Sequence, residues 1–316
     1  MEKPILIVDG LNVFMRHFCA NPSLSENGDH IGGFLGFLGG LGNLCEKFSP
    51  HRIIVVWESG GNARKRAVSA SYKMGRRPPK LNRYYEDDIP ATSSNHTLQV
   101  SLLVKALSYL PVTQIYVRDC EADDVIGYLG RYVFDQSASI LVSSDKDLYQ
   151  LVNDTTQQWS PGQKRLIDKD HIVEKFGVSA ENFVSARAFI GDGSDNIRGV
   201  KGAGFKTMSK WFPALKSDEF VSCGEIVSAA KILGASKKSK TIKLIAESGD
   251  IAIQNWKLMH LDTSRLCGDQ IHKITGQLEN IGTSHKMNLM RLMSRHGMQK
   301  FDIHRHFSAI NSVRNK

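Results

Sequence analysis

No apolar run in this 316-residue sequence approaches the roughly 18–20 residues of a membrane-spanning helix, so no membrane partner is expected. The N-terminus has no signal-peptide pattern: Met1-Glu2-Lys3-Pro4 runs at once into a strand-like segment. Cysteine is sparse, odd in number and never spaced as CxxC (Cys19, Cys45, Cys120, Cys223, Cys267). That argues against a disulfide framework or a structural zinc, and for free thiols in a reducing cytoplasm. There is no GxxxxGK[ST] phosphate loop. Between residues 64 and 83 there is no acidic residue at all. What is present suffices for a packed core: 41% of residues are hydrophobic and 23% charged, which excludes wholesale disorder. The length suggests about two domains, or one α/β domain with an appendage.

The acid-free segment holds Arg64, Lys65, Arg66, Lys73, Arg76, Arg77, Lys80 and Arg83. The chain carries a net +9, so these eight groups leave the rest near neutral. A cationic focus on a near-neutral body is the electrostatic footprint of a polyanion site.

Four short runs read as buried parallel strands because they are nearly continuous Ile, Leu and Val: Ile5 to Val8, Ile53 to Trp57, Ile115 to Val117 and Ile140 to Val142. A helix over 97–110 would place Leu98, Leu102, Ala106 and Tyr109 on one face. Alternating strand and helix predicts a layered α/β domain. Each strand stops near a carboxylate: Asp9, Glu58, Asp119 with Glu121, and Asp145. The ligand site of an open parallel sheet lies beyond its carboxyl ends, so these acids would gather there and repel one another. Bound divalent cations relieve that repulsion, and an all-oxygen donor set points to Mg²⁺ or Mn²⁺. Glu121-Ala122-Asp123-Asp124 opens a helix, and Ser144-Asp145-Lys146-Asp147 joins a strand to another helix start. Either cluster alone is ordinary helix capping. Both together, with Asp9 and Glu58, favour chemistry.

Residues 191–204 carry Gly191, Gly193, Gly199, Gly202 and Gly204, with Asp192 and Asp195 as further acids and Lys201 and Lys206 alongside. Tight turns ahead of a helix start would let the backbone approach a phosphate; a plain connection is the alternative. The second glycine-dense stretch, 32–42, is uncharged and reads as a closely packed helix.

In order along the chain stand Ile7-Val8-Asp9-Gly10 with Asn12, Tyr72-Lys73 with Arg76, Glu121 to Asp124, Ser144 to Asp147, and Gly191-Asp192 with Asp195-Asn196-Ile197 and Gly199-Val200-Lys201-Gly202-Ala203-Gly204. This series, over roughly residues 5–262, resembles the 5′-nuclease or flap endonuclease superfamily in its phage and bacterial branch. Residues 158–164 (Gln-Trp-Ser-Pro-Gly-Gln-Lys) also resemble the T-even phage ribonuclease H.

The resemblance implies an α/β protein: a PIN-like parallel-sheet domain at 1–178, flanked by helices, with a helical arch at about 60–95. A mostly helical DNA-binding part at 179–316 would contain a helix–three-turn–helix motif. Two metal ions would be held by Asp9, Glu58, Glu121, Asp123, Asp124, Asp145, Asp147, Asp192 and Asp195, with the partition between them open. Lys73 and Arg76 would touch the scissile phosphodiester. Arg64, Lys65, Arg66, Tyr72 and Arg77 would contact the single strand, with Tyr72 stacking on a base. Gly199, Lys201, Gly202, Gly204 and Lys206 would grip duplex phosphates, and the carbonyls of Val200 and Gly202 would hold K⁺. Glu58 departs from the family's usual Asp. It keeps the charge and lengthens the reach by one methylene.

The implied chemistry is two-metal phosphodiester hydrolysis of 5′-flapped or 5′-ended DNA, and of RNA/DNA hybrid as a further substrate, in replication. Tyr84 and Tyr85 would stack on bases or pack within helices. The basic run from Lys231 to Lys243 (with Lys237, Lys238 and Lys240) would follow the duplex or form a solvated face. The alternatives are a catalytically weak nucleic-acid-binding homologue, a PIN-type ribonuclease, or a small-molecule phosphohydrolase, which would want an acid two residues after Asp9 where Leu11 stands. Lys286 to His306 reads as one basic helix that could meet DNA, a replication clamp or a single-strand binding protein. A monomer is expected.

Overall fold

The computed structural model describes residues 3–60, 63–73, 92–236, 238–262 and 266–313, with the backbone alone for residues 63, 64 and 92. The four expected strands form, as β1 (Ile5–Asp9), β2 (Arg52–Trp57), β3 (Thr113–Tyr116) and β4 (Ser139–Val142). They are parallel and, with β5 (Thr156–Ser160) and β6 (Arg165–Ile167), make one sheet in the order β3-β2-β1-β4-β5-β6. Among the described strands only β6 runs antiparallel. The sequence reading missed β5 because its buried residues, Thr156, Gln158 and Ser160, are polar and give no apolar signal.

Helices α1 (Gly10–Ala20), α2 (Gly32–Phe48) and α4 (Thr92–Leu107) cover one sheet face; α3 (Ala63–Val68) lies off the sheet. The glycine-dense stretch is α2, as its packing reading required. A Cβ at Gly36 would lie 2.5 Å from His17, and one at Gly42 2.5 Å from His306, so glycine sets how closely α1 and the C-terminal helix approach. In α4 the face differs from expectation. Leu98 is 45% exposed, while Gln99, Leu103, Ala106, Leu107 and Leu110 are buried. Gln99 decides it: its Oε1 accepts the Phe34 amide at 2.9 Å and its Nε2 donates to the His30 carbonyl at 2.8 Å, drawing that side inward.

The other face carries α5 (Ala122–Tyr128), which widens into a π-helical turn at Leu129–Val133. After α6 (Lys169–Phe176) come α7 (Phe183–Ile190), α8 (Phe205–Trp211), α9 (Cys223–Ser236), α10 (Lys240–Glu247) and α11 (Gly249–Met259), packed around their own core. The chain then returns to the sheet. α12 (Gly268–Leu278) covers β3, where Gln277 bonds both backbone groups of Tyr116. The tail is two helices rather than one, α13 (Lys286–Arg295) and α14 (Ile303–Asn311), both packed on the α1–α2 face. Their break comes at Gly297, whose φ of 65° a helix cannot contain. All five cysteines are free thiols, and among the described residues no helix is long and apolar enough to cross a membrane.

Candidate active site

β1 delivers Asp9 to the carboxyl edge of the sheet, where it also caps α1. Its Oδ1 accepts the Asn12 amide at 3.2 Å and its Oδ2 accepts the Ser143 hydroxyl at 2.9 Å. Asn12 Oδ1 in turn accepts the Ser144 amide at 2.9 Å, tying the loops after β1 and β4 together. Burial pushes the Asp9 carboxyl up, its two hydrogen bonds pull it down, and Asp145 and Glu58 push it up again, to about 7. Asp123 is driven well above the ordinary carboxylate range by burial, then by Asp145 and Asp9. The structure thus brings the strand-end acids Asp9, Glu58 and Asp145 together with Asp123 of the helix-opening cluster: Asp145 and Glu58 repel Asp9, and Asp145 and Asp9 repel Asp123.

The Ser144–Asp147 loop is held from below. Gln158 on β5 donates from Nε2 to the carbonyls of Ser143 (2.8 Å) and Asp145 (2.7 Å). The Asp147 amide bonds Asp145 Oδ1 at 2.9 Å. Burial and then Asp145 push Asp147 up to about 7 against the pull of Arg187. Arg187 on α7 lies 3.2 Å from Asp147 Oδ1 and is also paired with Asp192. Burial raises Asp192, but hydrogen bonds from Ser194 and the Arg187 charge outweigh it and hold it low.

On the other side the cationic segment enters the site. Lys65 on α3, 3% exposed, is paired with Glu121 and lies 3.6 Å from Asp124. Lys73 Nζ lies 2.5 Å from Glu121 Oε1. Burial would raise the Glu121 carboxyl; the two ammonium groups overcome this and bring it down to about 2. Tyr72 is buried beneath both ammoniums, 5.7 and 5.2 Å from its ring centre, and its hydroxyl donates to Glu121 (3.1 Å) and Asp195 (3.3 Å). The Lys73 amide bonds the Asp195 carbonyl at 3.0 Å, and Asn196 Nδ2 bonds the Ser71 carbonyl at 3.0 Å. Residues 71–73 therefore join the acidic edge to the glycine-rich loop.

Two expectations are corrected here. Tyr72 was expected to stack on a base, but its ring is only 5% exposed and its hydroxyl is engaged by carboxylates. Lys65 was expected on nucleic acid, but it is buried against Glu121 and Asp124; the acidic edge needs internal cations, and this lysine supplies one. Arg66 is exposed. Arg76, Arg77, Lys80, Arg83, Tyr84, Tyr85, Lys237 and the Arg64 side chain lie outside the described residues.

The glycine-rich segment folds as successive turns between α7 and α8. Gly191 and Gly202 take φ of 80° and 85°. A Cβ at Gly199 would sit 1.9 Å from the Ile190 carbonyl oxygen, so its first requirement is internal packing. Gly204 caps α8 with open space beside it, and Lys201 and Lys206 are exposed. Asn255 on α11 pins the segment, donating at 2.8 Å to the carbonyls of Ala188 and Arg198. The sequence reading missed Ser143, Gln158, Arg187 and Asn255 as supports. Gln158 lies within the segment that resembles the phage ribonuclease H and Asn255 within the span of the nuclease resemblance, whereas Ser143 and Arg187 carry no local signal.

The carboxylates suit hard divalent cations by donor type, and the upward push on Asp9, Asp123 and Asp147 marks a demand for positive charge. Among the described residues no three of them close into one shell. Water would complete the coordination, as Mg²⁺ ordinarily requires.

The family model described as "5′-3′ exonuclease, N-terminal resolvase-like domain" matches residues 4–177. The 5′-3′ exonuclease of Bacillus subtilis is 30% identical over 218 residues, covering 66% of this chain and 69% of that one. Flap endonuclease Xni of Shewanella woodyi is 28% identical over 263 residues, 82% of this chain and 92% of that one. A bacteriophage T5 flap endonuclease, solved with DNA and metal ions, shares the fold with a TM-score of 0.69 at 20% identity, covering 92% of this chain and 99% of that one.

Proposed function

The chain belongs to the 5′-3′ exonuclease family, and from that premise we propose that it is a structure-specific 5′ nuclease hydrolysing phosphodiesters at 5′ flaps and ends of DNA, with divalent metal ions held on the acidic edge. The observation that carries this reading is the upward push on Asp9 at the end of β1 and on Asp123 at the start of α5, to each of which the nearby Asp145 charge contributes. Such an arrangement is costly unless cations join it.

Asp9, Glu58, Glu121, Asp123, Asp124 and Asp145 would hold or support one Mg²⁺ (or Mn²⁺), and Asp147, Asp192 and Asp195 a second. When bound, the ions supply an activated water and offset charge on the leaving oxygen. The chain's own residues do the rest. Gln158 and Ser143 fix the carboxylate loops. Lys73, with Arg76, offsets charge growing on the phosphate. Lys201, Lys206 and the turns at Gly199, Gly202 and Gly204 meet duplex phosphates, and the carbonyls of Val200 and Gly202 bind K⁺. Residues 1–178 would thus cut and 179–316 would grip. RNA/DNA hybrid is a further substrate on this reading. A role in replication follows, as a cytoplasmic monomer meeting a clamp or single-strand binding protein.

The test incubates 5′-flap DNA and RNA/DNA hybrid with wild type or Asp145→Asn, in Mg²⁺ or EDTA. Cleavage is expected only for wild type in Mg²⁺. Equal cleavage in EDTA, or none by wild type, would end the metal-dependent reading.

A further inference from the structure

We propose that an open groove between α1, α2 and the β5–β6 hairpin binds unpaired nucleotides of a nucleic-acid strand, next to the acidic edge but outside it. The groove measures about 700 Å³, within the roughly 300–1,000 Å³ of ligand sites. Its floor is apolar, formed by Val13, Leu44, Val142 and Trp159, and its rim carries Arg16, Lys47 and Lys164; none of its lining residues is a carboxylate. The three rim cations are exposed and none is ion-paired among the described residues. They therefore differ from Lys65, Lys73 and Arg187, which the protein's own acids engage.

Trp159 supplies the second element. It is half-buried, packs edge-on against Phe48 at 5.5 Å, and has the Lys47 ammonium 4.3 Å over its ring. An aromatic face ringed by cations suits a base and its phosphates, without reading sequence. The placement is also suitable. Val13 lies one helical turn along α1 from Asp9, and Val142 immediately precedes Ser143, which bonds Asp9. A strand with its phosphate at the acidic edge would therefore pass nucleotides into the groove within a short distance. The hairpin rim, Trp159 to Lys164, belongs to the segment whose sequence resembles a phage ribonuclease H; of that segment the acidic edge uses Gln158, which precedes the rim. The identity of the polyanion rests on the nuclease reading above.

The test measures fluorescence anisotropy of a labelled single-stranded oligothymidylate in EDTA, where binding is read without cleavage. The Lys47→Glu, Lys164→Glu double variant should bind about tenfold more weakly. Its slope of log affinity against log salt should fall by about 1.4, the share of two phosphate contacts to a single strand. Reversing Lys105 and Lys273 to Glu, at the β3 edge of the sheet, should change affinity by less than about threefold. Trp159→Phe, which keeps an aromatic ring on Phe48, should remove more than half of the oligonucleotide-induced quenching of tryptophan emission. Unchanged binding by the groove variant, an equal loss in the β3-edge variant, or undiminished quenching in Trp159→Phe would overturn the proposal. Flap cleavage in Mg²⁺ is scored separately. Wild-type cleavage with unaltered groove-variant binding removes the groove alone; a wild type that neither binds nor cleaves removes both readings.

Discussion

Asp9 and Glu121 stand at the same sheet edge, after β1 and β3 with β2 between them, and both are buried, yet their carboxyls are driven in opposite directions. Asp9 is pushed up to about 7 and Glu121 is held down at about 2. Burial raises both. The difference is that Lys65 and Lys73 reach Glu121, whereas Asp9 faces Asp145 and Glu58. One half of the acidic edge is neutralised by the chain, and the other is left for cations from solution. A repelling cluster is unfavourable in the folded state, so the uncompensated half is where function has displaced stability.

The largest effect should come from removing a ligand on the uncompensated half. Asp9→Asn should lower flap cleavage in Mg²⁺ about a thousandfold, the equivalent of several kcal/mol of metal-assisted stabilisation. The same variant should melt at a higher temperature than wild type in EDTA near neutral pH, because a repelled carboxylate is gone. A retained rate, or a lower melting temperature, would erase the difference between the two halves of the edge.

On the compensated half the sign reverses. Lys65→Met leaves Glu121 and Asp124 short of a cation and should cost about 3 kcal/mol in chemical denaturation, with or without metal. A loss under about 0.5 kcal/mol would mean that Lys73 alone suffices.

Next in size is the pH dependence of stability without metal. Asp9 and Asp147 have folded values raised above those of the unfolded chain. Their contribution is therefore complete below about pH 4 and is lost as pH rises through about 7. Glu121 has a lowered value. Its contribution is present above about pH 4.5 and is lost as pH falls toward 2. Melting temperature in EDTA should thus fall between about pH 5 and 8, and Mg²⁺ should restore it more at the higher pH. A metal effect independent of pH would place the ions elsewhere.

The smallest expected effect is Glu58→Asp, which keeps the charge and shortens the reach. Cleavage should change by less than about tenfold, the lower end of the effect of outer-shell changes. A larger loss would make Glu58 a direct ligand whose length matters.

Much of this edge was legible from local pattern. Apolar runs ending in acids named four of the six described strands together with Asp9, Glu58, Glu121 and Asp145, and the acidic clusters beside them added Asp123, Asp124 and Asp147. β5 escaped because its inward residues are polar, and the true inner face of α4 escaped because it turns on Gln99. The Lys286–His306 stretch read as one helix because its composition does not show where two short helices divide.

The sequence by itself determined the parallel α/β core, the acidic strand ends, the cationic segment and the family. These depend on residue type and on spacing along the chain. Only the tertiary structure decided what the cations do. Lys65, Lys73, Arg66 and Lys164 are alike in sequence as positive groups. Folding buries Lys65 and half-buries Lys73 against Glu121, and leaves the others exposed. The reason is that a charge acts through distance and burial, and neither is a property of the local sequence.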